Sequence, residues 1–470
     1  MRFAGRRVVV AGAGVSGAPA ARALLELGAE VTVVDRADSA ATDELAAAGA
    51  TLAIGVDTPP PGTELIVTSP GWRPDAPLLT AGVPVIGEVE LAWQLRGDRP
   101  APWLALTGTN GKTTTVRMLE SILRAAGRRA VATGNVGLPV LEAVRGGYDV
   151  LAVELSSFQL HWSPSVRPAA GAILNLAPDH VDWHGSYADY ARAKERIWAG
   201  PETVAIGNAD DPDVAARLAR APGRRVSFTL GEPGPGQLGV ADGLLVDRAF
   251  PLRPVDLGRV NVSGATEALS QPRSAGVELA AAAEVRPPGP HNVANALAAA
   301  ALARTHGVDP DAVRRGLAAF VPDRHRNERV AEIRGVAYVD DSKATNPHAA
   351  AASLGTYRPV VWVAGGLLKG APVDELVAAV ADRLAGAVLL GADRAQLRAA
   401  IARHAPDLPV VEVFRADDGA MSEVVRAAAA LARPGDTVLL APAAASMDMF
   451  RDYGARGDAF SAAVRALEGQ

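Results

Sequence analysis

The chain has 470 residues, a formal net charge of −5 and no cysteine, so disulfides and thiolate chemistry are excluded. This charge gives no indication of binding to nucleic acid or to an anionic membrane. No uninterrupted apolar run of about 18 residues is present, so no membrane span is predicted, and the length suits about three domains of a cytoplasmic α/β protein.

Residues 1–98 alternate strand-like and helix-like segments, which predicts parallel βαβ units. Gly12, Gly14 and Gly17 lie between a strand and a helix, and Asp35 ends the next strand, which completes the dinucleotide fingerprint. The region is too short for a second mononucleotide-binding half, which favours a pyrophosphate ligand other than NAD or FAD. An NAD-linked dehydrogenase and a glycine turn without ligand remain open. The glycines also interrupt the apolar N terminus, so no signal peptide is expected.

The second region begins after a polar linker at 96–102 and contains the stretch "TGTNGKTTT" at 107–115. Two residues separate Gly108 from Gly111, whereas the usual phosphate loop has four residues between its glycines. The backbone amides of residues 110–114 would cap a triphosphate. Lys112 would reach the β- and γ-phosphates, and Thr113 would offer its hydroxyl to Mg²⁺. A strand before the loop and a helix after it argue against a chance match.

Acidic, imidazole and lysine side chains occur later in the second region, at Glu154, Asp179, His180, Asp182, His184 and Lys194. Glu154 and His180 each follow an apolar run, so in a parallel sheet both should face the crevice that contains the phosphate loop. They could hold one or two Mg²⁺ ions against substrate phosphates. Asp182 and His184 are interpreted as ordinary loop residues, and composition alone makes Lys194 a solvated helix lysine.

Residues 231–288 are rich in Gly, Pro and Ser and predict only one hairpin, around Asp242 and Gly243. From about residue 322 to the end, strand-like runs alternate with alanine-rich helices, which predicts another doubly wound sheet. No repeat with a period of 20–50 residues is evident.

Eight motifs occur in a fixed order: "TGTNGKTTT", "GNVG", "ELSSFQL", "NLAPDHVDWHG", "AKERI", "HNVANA", "HRNE" and "DDSKATNP". In this order they resemble the Mur ligases, ATP-dependent amide-forming enzymes of peptidoglycan precursor synthesis with a shortened phosphate loop. The resemblance covers essentially the whole chain, with a poor match at 231–288. The stretches 154–160, 340–347 and 441–460 resemble the D-glutamate-adding branch. Another branch of the family, or folylpolyglutamate synthetase, is the alternative.

The resemblance implies three α/β domains: a Rossmann-like domain at 1–98 for the UDP-sugar, a central phosphate-loop ATPase-like domain at 99–321, and a Rossmann-like C-terminal domain at 322–470 for the amino acid. The implied substrates are UDP-N-acetylmuramoyl-L-alanine, D-glutamate and ATP, joined through an acyl phosphate. A monomer is expected, without nucleic-acid or membrane partners. A nucleotide-binding regulator without catalysis is disfavoured because the implied catalytic residues Lys112, Glu154, His180 and Lys194 are intact.

Site residues carry over from the resemblance position by position. It implies nucleotide contacts from Gly108, Thr109, Asn110, Gly111, Lys112, Thr113, Thr114, Arg326 and Asp341, with Asn292 or Asn295 at the adenine. It implies UDP-sugar contacts from Gly14, Val15, Ser16, Asp35, Arg36, Ser69, Asn135, Ser156 and His180. The implied ligands of two Mg²⁺ ions are Thr113, Glu154, His180 and Lys194, the last as a carbamate formed with CO₂.

For D-glutamate the resemblance implies Lys343, Thr345, Lys369, Ser446 and Tyr453. The chain departs from the family pattern at Tyr453, where phenylalanine is expected. It also lacks the aspartate expected after the two glycines of "GGLLKG", which makes Lys369 a weaker assignment than Thr345.

Overall fold

The computed structural model describes residues 3–250, 276–417 and 419–468. It contains two compact units, Met1–Ala282 with Ala294–Phe320, and Ala283–Val293 with Val321–Gln470. Residues 251–275, which belong to the stretch that the sequence left least interpretable, lie outside the described residues. No helix among the described residues is long and apolar enough to cross a membrane.

The smaller sheet of the first unit contains β1 (Arg7–Ala11), β2 (Glu30–Asp35), β3 (Thr51–Ile54), β4 (Leu65–Thr68) and β5 (Val85–Gly87), with helices α1 (Gly17–Glu26), α2 (Ala40–Ala47), α3 (Pro77–Thr80) and α4 (Glu88–Gln94). All strand pairs are parallel, in the order β3-β2-β1-β4-β5. The chain therefore winds outward in both directions from β1. This arrangement opens a crevice at the carboxyl ends of β1 and β4, where ligands bind in open α/β sheets.

The larger sheet of the first unit contains β6 (Trp103–Thr107), β7 (Ala130–Gly134), β8 (Val150–Glu154), β9 (Ala170–Ile173), β10 (Val204–Asn208), β11 (Arg225–Phe228), β12 (Gln237–Ala241), β13 (Leu244–Asp247) and β14 (Val277–Ala281). The order is β14-β13-β12-β11-β10-β9-β6-β8-β7. The phosphate-loop strand β6 thus pairs in parallel with both β8 and β9. The expected hairpin is confirmed, because β12 and β13 pair antiparallel around Asp242 and Gly243.

The helices that follow the larger sheet's strands are α5 (Lys112–Ala125), α6 (Val140–Ala143), α7 (Ser157–His161), α8 (Val181–His184), α9 (Tyr187–Glu195), α10 (Pro212–Leu218), α11 (Pro290–Thr305) and α12 (Pro310–Ala319). A 3₁₀ turn, Arg196–Trp198, follows α9, and another, Ala282–Glu284, follows β14. Ser121 on α5 donates a 2.7 Å hydrogen bond to the carbonyl of Gly316 on α12. The C-terminal helix of this unit therefore packs on the helix that the phosphate loop begins.

The second unit has one sheet, with β15 (Glu328–Ile333), β16 (Val336–Asp340), β17 (Val360–Gly365), β18 (Leu384–Leu390), β19 (Val410–Glu412) and β20 (Thr437–Leu440). Its helices are α13 (Pro347–Leu354), α14 (Asp374–Val380), α15 (Arg394–His404), α16 (Ala420–Leu431) and α17 (Tyr453–Glu468), with a 3₁₀ turn at Ala381–Arg383. The order is β15-β16-β20-β17-β18-β19, and only the edge pair β15–β16 is antiparallel among these described strands. Three α/β sheets confirm the predicted fold class.

Candidate active site

The glycine-rich loop after β1 is shaped by a positive φ at Gly12 and by a close approach of Gly17 to the backbone of Gly12. Gly12 has φ +94°, a conformation that L side chains rarely adopt. A Cβ on Gly17 would overlap the carbonyl oxygen of Gly12, so the start of α1 can lie against the loop only without a side chain. The Asp35 carboxylate accepts hydrogen bonds from the backbone N–H groups of Ala13 at 2.7 Å and Arg36 at 2.6 Å. Asp35 therefore fixes the loop itself and retains lone pairs for a ligand.

A cavity of about 380 Å³ lies at these strand ends. Its lining includes six of the nine residues that the resemblance assigned to the UDP-sugar: Gly14, Val15, Ser16, Asp35, Arg36 and Ser69. Trp72 also lines the cavity and was missed by the sequence analysis, although it follows "TSPG" at the end of β4. The cavity has the position and the backbone donors expected of a pyrophosphate site.

The phosphate loop connects β6 to α5. Gly111 has φ +82° and caps α5, and a Cβ there would lie closer than 3.0 Å to Oδ1 of Asn295. Asn175, missed by the sequence analysis, holds the loop through a pair of hydrogen bonds with Asn110 at 2.8 and 3.0 Å. These two hydrogen bonds support the conformation of the loop. Asn295 lies beside the loop, and its role at the adenine stays a prediction.

Lys112 folds back over its own loop, and its Nζ donates to the carbonyls of Gly108 and Thr109, each at 2.9 Å. Thr113 on the next position is half-buried, and its hydroxyl makes no hydrogen bond within the described part of the chain. Thr114 is buried. The Lys112 and Thr113 groups are thus placed at the start of α5, where phosphate and its counter-ion are favoured.

Glu154 ends β8 and is buried beside the phosphate-loop strand. Its Oε1 accepts a 2.9 Å hydrogen bond from the side-chain amide of Asn135, while Oε2 is buried without a hydrogen-bond partner in the described structure. A buried carboxylate oxygen without a donor is costly unless a cation or donor completes it. Asn135, which the resemblance assigned to the UDP-sugar, thus forms its side-chain hydrogen bond with Glu154.

Lys194 lies on α9 and is completely buried, so the composition-based interpretation of a solvated lysine is wrong. Its Nζ donates to Oγ1 of Thr107 at 3.2 Å and to the carbonyl of Gly108 at 2.9 Å, and it lies 4.7 Å from the ring centroid of Tyr190. No carboxylate forms an ion pair with it among the residues described. Burial, reinforced by the charge of Lys112, holds the pKa of Lys194 well below its usual value.

His180 lies seven residues beyond β9, with φ +51°, and begins α8. Burial lowers its pKa, the charges of Lys112 and Lys194 lower it further, and Asp179 opposes them. The charge of Glu154 in turn acts on Lys194. Lys112 and Lys194 both donate to the carbonyl of Gly108, so the two amines lie together beside the phosphate loop.

The interpretation of Asp182 and His184 as loop residues is wrong, because both belong to α8. His184 Nε2 lies 2.9 Å from Oγ of Ser157, and burial lowers the pKa of His184 to about 4. Four residues are too few to produce a helical period in a sequence, so the local pattern contained no signal for this helix. Ser156 caps α7 in a reciprocal capping box with Gln159, so its hydroxyl has a structural role beside its implied ligand role.

The donor set near the phosphate loop fits a divalent cation. Glu154 supplies an unpaired buried oxygen, Thr113 a hydroxyl and His180 an imidazole. Hard oxygen ligands of this kind suit Mg²⁺ bound together with substrate phosphates.

The second unit contains the residues implied for the amino acid. Nζ of Lys343 lies 3.9 Å from the ring centroid of Tyr453, the position that departs from the family pattern. Reciprocal backbone hydrogen bonds between Leu367 and Ala445, at 2.8 and 2.9 Å, join the loop before Lys369 to the loop that contains Ser446.

The backbone also defines the positions of Thr345 and Lys369. The backbone N–H of Thr345 donates to the carbonyl of Lys343 at 2.8 Å. Exposed Lys369 has φ +54°. The loops at the carboxyl ends of β16, β17 and β20 thus carry four of the five residues implied for D-glutamate, and the fifth, Tyr453, begins α17.

Asp341, Arg326 and Asn292, the residues of the second unit that are implied for ATP, each contact a different partner. Asp341 Oδ1 accepts a 3.2 Å hydrogen bond from the backbone of Asn327, and burial raises the pKa of Asp341 to about 6. Nε of Arg326 lies 3.8 Å from Oδ2 of Asp323. Asn292 is buried and donates to the carbonyl of Pro288 at 3.2 Å. A role in nucleotide binding for these residues stays a prediction.

Three family models match successive parts of the chain. Residues 7–51 match the pyridine nucleotide-disulphide oxidoreductases, 106–303 the Mur ligase middle domain, and 325–444 the Mur ligase, glutamate ligase domain.

Relatives extend over the full length. The chain is 58% identical to a UDP-N-acetylmuramoylalanine–D-glutamate ligase of Streptomyces coelicolor over 99% of each protein. It is 58% identical to the Thermobifida fusca protein of the same name, with 100% of each covered. Identity to the Mycolicibacterium smegmatis protein of that name is 50%, over 99% of this chain and 97% of the relative.

Solved structures support the fold. The UDP-N-acetylmuramate–alanine ligase of Thermotoga maritima is similar with a TM-score of 0.57 at 17% identity, over 98% of this chain and 99% of the other. A pseudomurein peptide ligase type C of Methanothermus fervidus has the same TM-score at 19% identity, over 98% of this chain and 100% of the other.

Proposed function

The chain belongs to the Mur ligase family, and from this premise we propose how its residues carry out the ATP-dependent addition of D-glutamate to UDP-N-acetylmuramoyl-L-alanine. The observation that carries the proposal is the grouping of Lys112, Glu154 and Lys194 around the shortened phosphate loop. This group can stabilise charge on a transferring phosphoryl group.

The reaction needs an activated acid because a carboxylate carbon is a poor acceptor for an amine. Transfer of the γ-phosphoryl group of ATP to the alanyl carboxylate gives an acyl phosphate and ADP. The neutral amine of D-glutamate then attacks the acyl carbon, the C–N bond forms, the C–O bond to phosphate breaks, and the amine loses a proton. Lys112 would exchange its hydrogen bonds to the loop carbonyls for contacts with the phosphates of ATP. Its positive charge would then reduce the repulsion between the alanyl carboxylate and the γ-phosphate.

Thr113, Glu154 and His180 would hold Mg²⁺, which supplies positive charge to the phosphate oxygens when it is bound. The unpaired Oε2 of Glu154 supports this role. Asn135 would orient the Glu154 carboxylate through its 2.9 Å hydrogen bond.

Lys194 would act as a carbamate that completes a second cation site. Its amine is buried without a carboxylate among the described residues, an environment that disfavours a permanent ammonium ion. Reaction of the neutral amine with CO₂ forms an N–C bond and releases a proton, which leaves an anionic ligand.

Replacement of Lys194 by alanine tests this role. Lys194→Ala should be nearly inactive, and acetate or formate should restore part of the rate because a small carboxylate can occupy the space of the carbamate. Lys112→Ala is the matched control: it should lose roughly 10³-fold in rate and show no rescue, since its missing group is a cation. A fully active Lys194→Ala variant, or equal rescue of both variants, would refute the carbamate.

The cavity beside Gly14 and Asp35 would bind the UDP end of the sugar substrate. The match of residues 7–51 to pyridine nucleotide-disulphide oxidoreductases makes NAD the second candidate ligand. A ligand that binds only the native state raises its melting temperature, so UDP or the UDP-sugar should stabilise the protein and NAD should not. The opposite result would favour the dehydrogenase interpretation.

Amino-acid selectivity would come from the loops of Thr345, Lys369 and Ser446, which can pair both carboxylates of D-glutamate. A site built to pair a polar group can reject an analogue without it by about 10⁴-fold. Phosphate release in the presence of ATP and UDP-N-acetylmuramoyl-L-alanine should therefore require D-glutamate and fail with L-glutamate, D-alanine, L-lysine or meso-diaminopimelate. Extension of a folate substrate, or ligation of L-alanine to the sugar lacking it, would place the chain in another branch. The cytoplasmic location and the monomeric state stay predictions.

A further inference from the structure

The short helix α8 connects His180 to Trp183 as one rigid turn. The backbone N–H groups of Trp183 and His184 both donate to the carbonyl oxygen of His180, each at 3.1 Å. Trp183 and His180, the residue that we assign to the cation site, therefore belong to one hydrogen-bonded turn.

The same turn is attached to the loop that follows β4. Nε1 of Trp183 donates a 3.2 Å hydrogen bond to the carbonyl of Trp72, and a guanidinium nitrogen of Arg73 donates a 2.9 Å hydrogen bond to the carbonyl of Asp182. Trp72 lines the cavity assigned to the UDP end of the substrate. The two hydrogen bonds thus join the 72–73 loop, which contributes Trp72 to the cavity, to the turn that follows His180.

Aromatic packing also holds the turn. The ring of Phe158 lies 4.6 Å from that of Trp183 and 4.7 Å from that of His180, measured between centroids. Phe158 lies on α7, four residues after Glu154. The α8 turn is therefore in contact with two segments: the 72–73 loop, which belongs to the UDP cavity, and α7, which follows a predicted cation ligand.

We propose that Trp183 is a positioning residue that couples the UDP-sugar cavity to the nucleotide and cation site. Occupation of the cavity would fix the Trp72 loop, and the Trp183 hydrogen bond would then favour one position of His180. Trp183 itself need not touch either substrate. This inference rests on the proposed function, and it adds that binding of the UDP-sugar and of the nucleotide with Mg²⁺ is mutually favourable.

The chain offers a matched pair of substitutions. Trp183→Phe keeps a ring to pack against Phe158 but removes both the indole donor to Trp72 and part of the ring volume. Trp162→Phe removes an indole N–H that is buried without a hydrogen-bond partner in the described structure. The ring of Trp162 packs against His161, which also packs against Trp183. The two variants therefore change the same atoms but only the first breaks a hydrogen bond.

The measurement is the dissociation constant of β,γ-methylene ATP with Mg²⁺, determined by calorimetry with and without saturating UDP-N-acetylmuramoyl-L-alanine. In the wild type and in Trp162→Phe the sugar nucleotide should tighten binding by a factor in the usual range of about 5–150. In Trp183→Phe this factor should fall about fivefold or to unity, as expected for the loss of one hydrogen bond. The reverse titration must give the same factors, because coupling of binding is reciprocal.

An unchanged factor in Trp183→Phe would overturn the inference, even if the variant melts at a lower temperature, because the residue would then serve only packing. A factor of one in the wild type would overturn it as well. Failure of the wild type to bind the sugar nucleotide at all would instead contradict the proposed function, so the two failures are distinguishable.

Discussion

Gly111→Ala should strongly reduce the activity of the enzyme with little more effect on stability than a control substitution beyond the other end of α5. Gly111 has φ +82°, and an alanine Cβ there would lie closer than 3.0 Å to Oδ1 of Asn295. Gly127, just beyond the other end of α5, has φ +74° and no atom within 4 Å of its hypothetical Cβ. Both alanines would have a similar backbone strain of about 1–2 kcal/mol, but only one would collide with a neighbour.

The size of the effect on activity follows from the geometry. Relief of the collision requires Asn295 or the phosphate loop to move by about 1 Å, and a displacement of this size in a catalytic site can cost about 10²-fold in rate. We therefore expect Gly111→Ala to lose about 10²-fold in kcat, whereas Gly127→Ala should keep nearly full activity. Lys112 and Thr113 would be displaced together with the loop, since they are the next residues in the chain.

Two assays separate the effect on the rate from the effect on stability. Phosphate release at saturating substrates measures the rate, and urea unfolding measures the free energy of unfolding of both variants. A Gly111→Ala enzyme within threefold of the Gly127→Ala rate would show that the loop tolerates the added methyl group. The reasoning from close approach would then be refuted.

Three further substitutions test particular buried groups. Arg304→Met should lower the free energy of unfolding by about 3–5 kcal/mol in urea titrations, because it leaves buried Asp247 without its 2.8 Å ion pair; a loss under 1 kcal/mol would contradict this. Tyr190→Phe removes a buried 2.8 Å hydrogen bond to Thr109 of the phosphate loop and should cost about 1 kcal/mol of stability with a several-fold lower kcat; unchanged values of both would contradict it. Burial raises the pKa of Glu88 to about 7, with backbone N–H groups opposing, so its contribution favours the folded state below its unfolded pKa of 4.5 and is lost as the pH rises toward and through 7. Relative to Glu88→Gln, the wild type should lose on the order of 3 kcal/mol of stability between pH 4.5 and 8, and identical pH profiles of unfolding would show that Glu88 does not titrate in this way.

Much of the fold was predictable because local sequence patterns specify local backbone. The alternation of apolar runs with amphipathic segments predicted parallel α/β sheets, and Asp242–Gly243 predicted a hairpin that β12 and β13 form. The glycines at 12 and 111 predicted two loops, and each adopts a positive φ that favours glycine.

Other features lacked a local signal. The helix that contains Asp182 and His184 has only four residues, and its position depends on contacts with the 72–73 loop, about 110 residues away in sequence, and with Phe158. Trp72, Asn175 and Tyr190 were missed for the same reason, since each acts through a partner that is distant in sequence.

The sequence by itself determined the chemical groups of the site and the loops that present them: a shortened phosphate loop, a glycine fingerprint, and acidic and imidazole side chains after apolar runs. Only the tertiary structure decided the state of those groups. The placement of β6 between β8 and β9 puts Glu154, with one unpaired oxygen, beside the phosphate-loop strand, and the packing of α9 buries Lys194 against the carbonyl of Gly108 and the hydroxyl of Thr107. The physical reason is that residue type and spacing fix local backbone conformation, whereas desolvation and charge pairing depend on segments that meet only when the sheet has formed.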